Sequence, residues 1–367
     1  MLTLTIAVER VTNGDILTDD DLCRLLSSHT LTELTAASQK ITQRCASRTF
    51  NTCAIINAKA DGCSCDCAWC AQSRHWNAAP AETDLIDEKT ALLGAQRTRS
   101  HGIGRYSLVT AGRKLSPRVR RQAEALLGAL TQQTPELELC ASFGLMNETE
   151  LRSLKAAGLV RYHCNLESSE RFFKKVCTTH TREDKIRTLE AARRAGLELC
   201  SGGLFGMGET ETDRMELART LRRLEIASIP LNFLSPIPGT PLAKQAPLSE
   251  EEILRTVVIF RFLNPTAYLR LAGGRQQLSQ TLLEKVMTAG VNSAIMGDFL
   301  TTTGSAIRDD LSAAIRAGME LEPTVKAALA LASSERDAAN STTCRPERSD
   351  STVARARRIP IVAKAQI

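Results

Sequence analysis

Three cysteines in the segment ADGCSCDCAWCAQS, Cys63, Cys67 and Cys70, are spaced C-x3-C-x2-C. Three thiolates on one tight loop can hold three irons of a 4Fe-4S cube, leaving the fourth iron open to a chelating small molecule. The competing reading is a zinc knuckle or a group of buried thiols, with Cys65 as a fourth nearby sulfur. A closed zinc site usually recruits a second ligand pair well downstream, and no second C-x2-C occurs. The triplet therefore reads as a cluster loop and Cys65 as a non-ligand. Cys140 and Cys200 stand alone in apolar runs, where a cysteine is more often a small buried hydrophobe than a ligand.

These groups need a scaffold. Residues 18 to 46 read as two short helices: TDDDLCRLL carries acids in its first turn, and TLTELTAASQKITQRCA repeats apolar residues at helical spacing. From about Cys53, short apolar runs alternate with amphipathic segments, the signature of a parallel sheet wound with helices. The runs are CAIINAKA, YSLVTA, LELCAS, VRYHCNL, LELCSGGLFG, SIPLNFL, AYLRLAG and NSAIMGD. Eight such units predict an α/β fold, a (β/α)8 TIM-type barrel, with reactive groups at the C-terminal ends of its strands or projecting inward from them. The expected organisation is an N-terminal helical cap over 1–49, the barrel over 50–322 and a flexible basic C-terminal tail over 323–367.

The triplet resembles the signature of the radical S-adenosylmethionine superfamily, in which the open iron binds the amino and carboxylate groups of the methionyl moiety. IINAKADGCSCDCAWCAQS, NLESS, CSGGLFGMGET, IPLNFLSPIPGTPL, LRLAGGRQQ and GVNSAIMGDFLTTTG together resemble the biotin synthase family in order and spacing, over about residues 50 to 320. The resemblance implies sulfur insertion into dethiobiotin to form biotin. A hydrogen on a saturated carbon is beyond any general base, so a carbon radical supplied by the cofactor must abstract it. It places Trp69 near the adenine, Asn165 and Glu167 at the ribose, and Lys185 where the family has an arginine for the methionyl carboxylate, a cation without the bidentate fork. Gly202 and Gly203, with Gly206 and Gly208, let backbone approach the cofactor, or simply serve a strand-to-helix turn. Asn165 and Asn232 fall near the dethiobiotin ureido ring, whose donors and acceptor an amide complements. Thr301 and Thr302 match hydroxyls for the valeryl carboxylate, with helix capping as their plainer role.

The resemblance also implies an auxiliary cluster, 2Fe-2S in the better-known type, held inside the barrel by three cysteines and an arginine. Cys140, Cys200 and Arg270 fill three of those places, and Ser107 stands where the first cysteine belongs. A serine oxygen is a hard ligand of high proton affinity, poorly matched to sulfide-bridged iron. Arg105 adds positive charge nearby. His163 and Cys164 replace an asparagine and a histidine, and Cys164 is left out of the ligand set.

Composition bounds the rest. Twelve cysteines in a chain that starts MLTLTIAVERVTNGD, without an export signal, point to the cytoplasm, where cysteines are ligands or buried groups. No long apolar run predicts a membrane span. The net charge of +6 is concentrated in the tail, without the basic stripe and stacking aromatics of a nucleic-acid module. The expected partners are dethiobiotin, a flavodoxin or ferredoxin as electron donor, and a second copy in a homodimer. Two alternatives stay open: a related radical enzyme acting on another small molecule, as in hydrogenase maturation or methylornithine formation, and a non-catalytic iron-sulfur scaffold.

Overall fold

The computed structural model describes residues 2–60, 62–79, 81, 83–297 and 307–342. Helices α1 (Leu4–Thr12), α2 (Asp19–Ser28) and α3 (Leu31–Cys45) come first, followed by the long strand β1 (Thr49–Lys59). Next are α4 (Glu88–Ser100), β2 (Arg105–Thr110), α5 (Pro117–Gln133), β3 (Glu138–Ser142), α6 (Glu148–Ala156) and β4 (Leu159–His163). Two helices, α7 (Glu170–Val176) and α8 (Arg182–Arg194), lead to β5 (Glu198–Cys200) and β6 (Gly203–Phe205). The chain continues through α9 (Glu211–Arg223), β7 (Ser228–Phe233), α10 (Glu250–Leu263), β8 (Tyr268–Leu271), α11 (Gln280–Ala289) and β9 (Ser293–Met296). Its last described elements are α12 (Ile307–Arg316), β10 (Glu320–Leu321) and α13 (Pro323–Thr342).

All strand pairs are parallel, in the order β1-β2-β3-β4-β5-β7-β8-β9, and β9 pairs back onto β1 to close the barrel. β5 and β6 form one interrupted barrel strand, with β6 resuming the pairing onto β7. The eight predicted runs thus become the eight barrel strands. β10 adds two residues to the start of β1, outside the ring.

Local sequence sets the helix starts. Thr18, Thr30, Asn147, Thr181, Thr210 and Ser249 each pair with an acid three residues on in a capping box, which satisfies otherwise orphaned backbone donors. Helix α10 is buried over ten of its residues, including the run Val257, Val258, Ile259 and Phe260. A helix apolar on all sides must be covered on all sides. The barrel covers one face of α10, and the N-terminal helices α1 and α3 pack against the other. Arg255 ties α10 to the Leu26 carbonyl at 3.0 Å, and Arg219 of α9 reaches the Leu17 carbonyl at 2.6 Å.

The two helices expected over residues 18 to 46 are α2 and α3, and a further helix, α1, precedes them, capped by Thr3 with Ala7, Val8 and Val11 buried. One expectation needs correction: the first part of the expected tail, Pro323–Thr342, is helical. Proline at its first position and the run AALALA favour a helix intrinsically, and Val325 is buried where the chain crosses Gly102. No helix among the described residues is long and apolar enough to cross a membrane.

Candidate active site

The loop after β1 closes on itself: Cys63 N–H donates to Gln72 O at 2.7 Å and Arg74 N–H to Cys63 O at 2.9 Å. Inside it, Ser73 Oγ donates to Cys65 O at 2.6 Å and Trp76 Nε1 to Cys67 O at 2.9 Å. Ala68 N–H reaches Val176 O at the end of α7, at 2.9 Å. The Asp66 carboxylate accepts from the backbone N–H groups of Thr178 and Thr179 at 2.9 and 3.1 Å, and from both hydroxyls. The three triplet cysteines are partly exposed, whereas Cys65 is buried. The loop is therefore positioned by protein contacts, with three thiols grouped on it, and this soft donor set fits a cluster with one open iron.

Sequence reasoning missed the neighbours of this loop. The Cys177 sulfur lies 3.8 Å from that of Cys67 and 3.3 Å from His180 Nδ1. The hydrogen bond with Cys67, reinforced by His180, lowers the Cys177 thiol to about 4 and raises that of Cys67. Burial pushes Cys70 up to about 11. Cys177 and His180 follow α7 in sequence, and only folding brings them to the triplet.

One wall of the adjoining cavity is the β4–α7 turn. Glu167 has φ 69°, a left-handed conformation uncommon outside glycine that is found at constrained functional turns. Its N–H donates to Gly202 O at 3.1 Å, and its own carbonyl accepts from Leu204 at 2.9 Å. Asn165 Oδ1 accepts from Gly202 N–H at 2.8 Å, and Lys185 Nζ donates to Asn165 O at 2.8 Å while standing 3.8 Å from the Glu167 carboxylate. Burial opposes the charge on Lys185, but Glu167 and the neighbouring thiols raise its pKa. Trp69 packs edge-on to Phe173 with centroids 6.3 Å apart. A Cβ on Gly202 would fall 1.9 Å from Pro230 O, and one on Gly203 would fall 2.8 Å from Glu167 O. Both glycines are thus required by backbone packing, whatever approaches from the cavity.

Deeper in the barrel, Cys140, Cys200 and Arg270 all line the same cavity of about 370 Å³, as do Ser107 and Cys53. Cys200 Sγ lies 3.3 Å from His163 Nδ1 and 3.6 Å from Ser228 Oγ. Arg270 donates to Ser228 Oγ at 3.3 Å, Ala294 O at 3.0 Å and the Asn51 side chain. Arg161, also facing the cavity, is held by Glu198 at 2.6 Å. Cys53 on β1, which the sequence reading treated only as part of a strand, lines this cavity with Cys140. The Cys140 thiol, with Arg270, Arg161 and Arg105 nearby, lowers Cys53 to about 6, and Cys140 is raised in turn. Burial opposes ionisation of Cys200, yet His163 and the arginines bring it to about 7.

Near the cavity mouth, Asn232 donates to Gly203 O and accepts from Gly273 N–H, each at 2.9 Å. One amide hydrogen and one lone pair remain for a ligand. Gln72 also lines the cavity, and its buried Oε1 has no hydrogen-bond partner among the described residues. The Ala-Gln-Ser after the triplet was its sequence signal. Thr301 and Thr302 lie outside the described residues.

A closed parallel barrel with a three-thiol loop at the end of its first strand defines a class, the radical S-adenosylmethionine enzymes. The Radical SAM superfamily model matches residues 58–221, and the Biotin and Thiamin Synthesis associated domain matches residues 230–320. Methylornithine synthase superimposes with a TM-score of 0.72 over 87% of this chain and 98% of its own, at 17% identity. The hydrogenase maturase HydG of Carboxydothermus hydrogenoformans does so with 0.72 over 87% of this chain and 79% of its own, at 15% identity. At such identities the likeness is one of fold. Biotin synthase of Porphyromonas gingivalis is 44% identical over 85% of this chain and 94% of its own, and that of Akkermansia muciniphila is 41% identical over 86% and 97%. The chain belongs to the biotin synthase family and is a radical S-adenosylmethionine sulfurtransferase.

Proposed function

We propose that the protein inserts sulfur into dethiobiotin to form biotin, using the two ends of one barrel cavity. The observation that carries this reading is that Cys70 and Trp69 of the triplet loop line the same cavity as Cys140, Cys200 and Arg270 deeper inside. Cys63, Cys67 and Cys70 would hold a 4Fe-4S cluster, and Cys140, Cys200 and Arg270 would hold an auxiliary cluster, 2Fe-2S or a variant, with Ser107 standing at the remaining family position. Bound there, the clusters and S-adenosylmethionine supply a low-potential electron, a carbon radical and sulfur.

The chain's own residues position and shield. Lys185 offers a buried ammonium for the methionyl carboxylate. Trp69 packs beside the adenine. Glu167 and Asn165 turn polar groups toward the ribose, and Gly202 and Gly203 keep their backbone close behind. Asn165 and Asn232 complement the ureido ring, while Thr301 and Thr302 take the valeryl carboxylate. The cavity lies inside the barrel ring, whose wall would limit the access of water and solvent-derived quenchers to chemistry done there. A flavodoxin or ferredoxin delivers the electron, and the enzyme works as a cytoplasmic homodimer.

The test is anaerobic incubation of cluster-reconstituted protein with S-adenosylmethionine, a strong reductant and dethiobiotin. The expected products are 5'-deoxyadenosine and biotin. Deoxyadenosine without biotin under any sulfur loading would reject the substrate. An intact cluster with no deoxyadenosine would reject the enzyme class.

A further inference from the structure

Interior side chains of a parallel eight-stranded barrel stack in layers of four, each layer drawn from alternate strands. The stagger can be followed through the strand pairs. Cys140 is in register with Ser107 and, through it, with Ile55, so Cys53 lies two residues before the registered position. Cys140 is in register with Arg161 and then Glu198, and Cys200 lies two residues beyond. Cys200 leads through Ser228 to Tyr268, two residues before Arg270. Arg270 leads through Ser293 to Asn51, two residues before Cys53. The same two-residue step at every second strand returns to its origin, so Cys53, Cys140, Cys200 and Arg270 form one closed layer. Ser107 sits on an intervening strand and belongs with His163, Pro230 and Ile295 to the next layer toward the strands' C-terminal ends.

We propose that Cys53 supplies the third thiolate of the auxiliary iron-sulfur cluster, which Cys53, Cys140, Cys200 and Arg270 hold as one barrel layer, and that Ser107 is not a ligand. This rests on the reading that the chain carries such a cluster. A third thiolate brings charge and covalency that a neutral serine hydroxyl does not. Position is favourable as well: Cys53 lines the cavity that Cys140, Cys200 and Arg270 also line. The ligand missing from β2 is thereby replaced from β1, on the neighbouring strand.

The experiment compares anaerobically reconstituted wild type with Cys53→Ala, Cys53→Ser, Ser107→Ala, Cys140→Ala and Cys200→Ala by Mössbauer spectroscopy, iron and sulfide content, and circular dichroism. The expected result is that Cys53→Ala, Cys140→Ala and Cys200→Ala each lose the auxiliary cluster's spectrum and iron. Each keeps the 4Fe-4S signal and 5'-deoxyadenosine formation. Ser107→Ala keeps both spectra. The near-isosteric Cys53→Ser carries the test if the alanine variant misfolds, and loses or shifts the auxiliary spectrum. Wild-type spectra in both Cys53 variants, with loss in Cys140→Ala and Cys200→Ala, would overturn this ligand assignment and leave the cluster in place. Unchanged spectra in all five variants would remove the auxiliary cluster itself.

Discussion

At the triplet, chemistry and position are separable. Alanine at Cys63, Cys67 or Cys70 leaves two thiolates, too few to keep a cube with an open iron, and should abolish 5'-deoxyadenosine formation. Cys65→Ala should keep the cluster, because its thiol is buried while its carbonyl, not its sulfur, is the acceptor that orders Ser73. A 4Fe-4S signal lost in Cys65→Ala and kept in a triplet variant would show the ligand set to be wrong. Lys185 makes a second residue-scale prediction. Its ammonium is already directed at Asn165 O and Glu167 beneath the cluster loop, so Lys185→Ala should raise the KM for S-adenosylmethionine at least about tenfold, about 1.4 kcal/mol. Lys185→Arg should restore it. Steady-state deoxyadenosine assays over a range of cofactor concentrations distinguish this from a loss confined to kcat.

Between elements, the connections around β4, α7 and α9 hold one wall of the cavity in place. Asp213, buried at the start of α9, accepts from Ser169 Oγ at 2.5 Å, Thr210 N–H at 2.9 Å and Arg171 at 2.7 Å. Burial opposes its ionisation, but these donors hold its carboxyl below the ordinary value. A depressed carboxylate contributes stability above its unfolded pKa and loses it as pH falls through the folded one. Asp213→Asn should therefore flatten the acid side of the stability–pH curve measured by urea unfolding. At the break between β5 and β6, Gly202→Ala would drive a Cβ into the Pro230 carbonyl. Backbone cannot yield as a flexible side chain can, and a cost of about 1–3 kcal/mol is expected, read as a lowered urea midpoint. Asp66→Ala should loosen the cluster loop from the α7–α8 connection, seen as faster loss of the 4Fe-4S absorbance under a chelator.

Across the whole molecule, the N-terminal helices are part of the barrel's packing. Deleting residues 1–46 would uncover the apolar face of α10, a contiguous patch of the kind that drives association, and the truncated chain should aggregate on size-exclusion chromatography. The sequence alone determined the eight strands, because alternating apolar runs and amphipathic segments leave few other architectures. It also determined the triplet loop, because a short contiguous spacing is itself a geometric constraint. The family was legible for the same reason, in motifs strung along one chain. Helix α1 was not read although Leu4, Ala7, Val8 and Val11 repeat at helical spacing. The first part of the C-terminal segment was not read because its alanine-rich run favours a helix by propensity without a strong periodic pattern. What only the tertiary structure decided is which distant residues share a layer. Cys53 and Cys140 lie on strands separated by β2, and Cys67 and Cys177 are far apart in the chain. Their pairing depends on barrel closure, strand stagger and the docking of one loop on another. Those are properties of the whole ring that no local stretch of sequence carries.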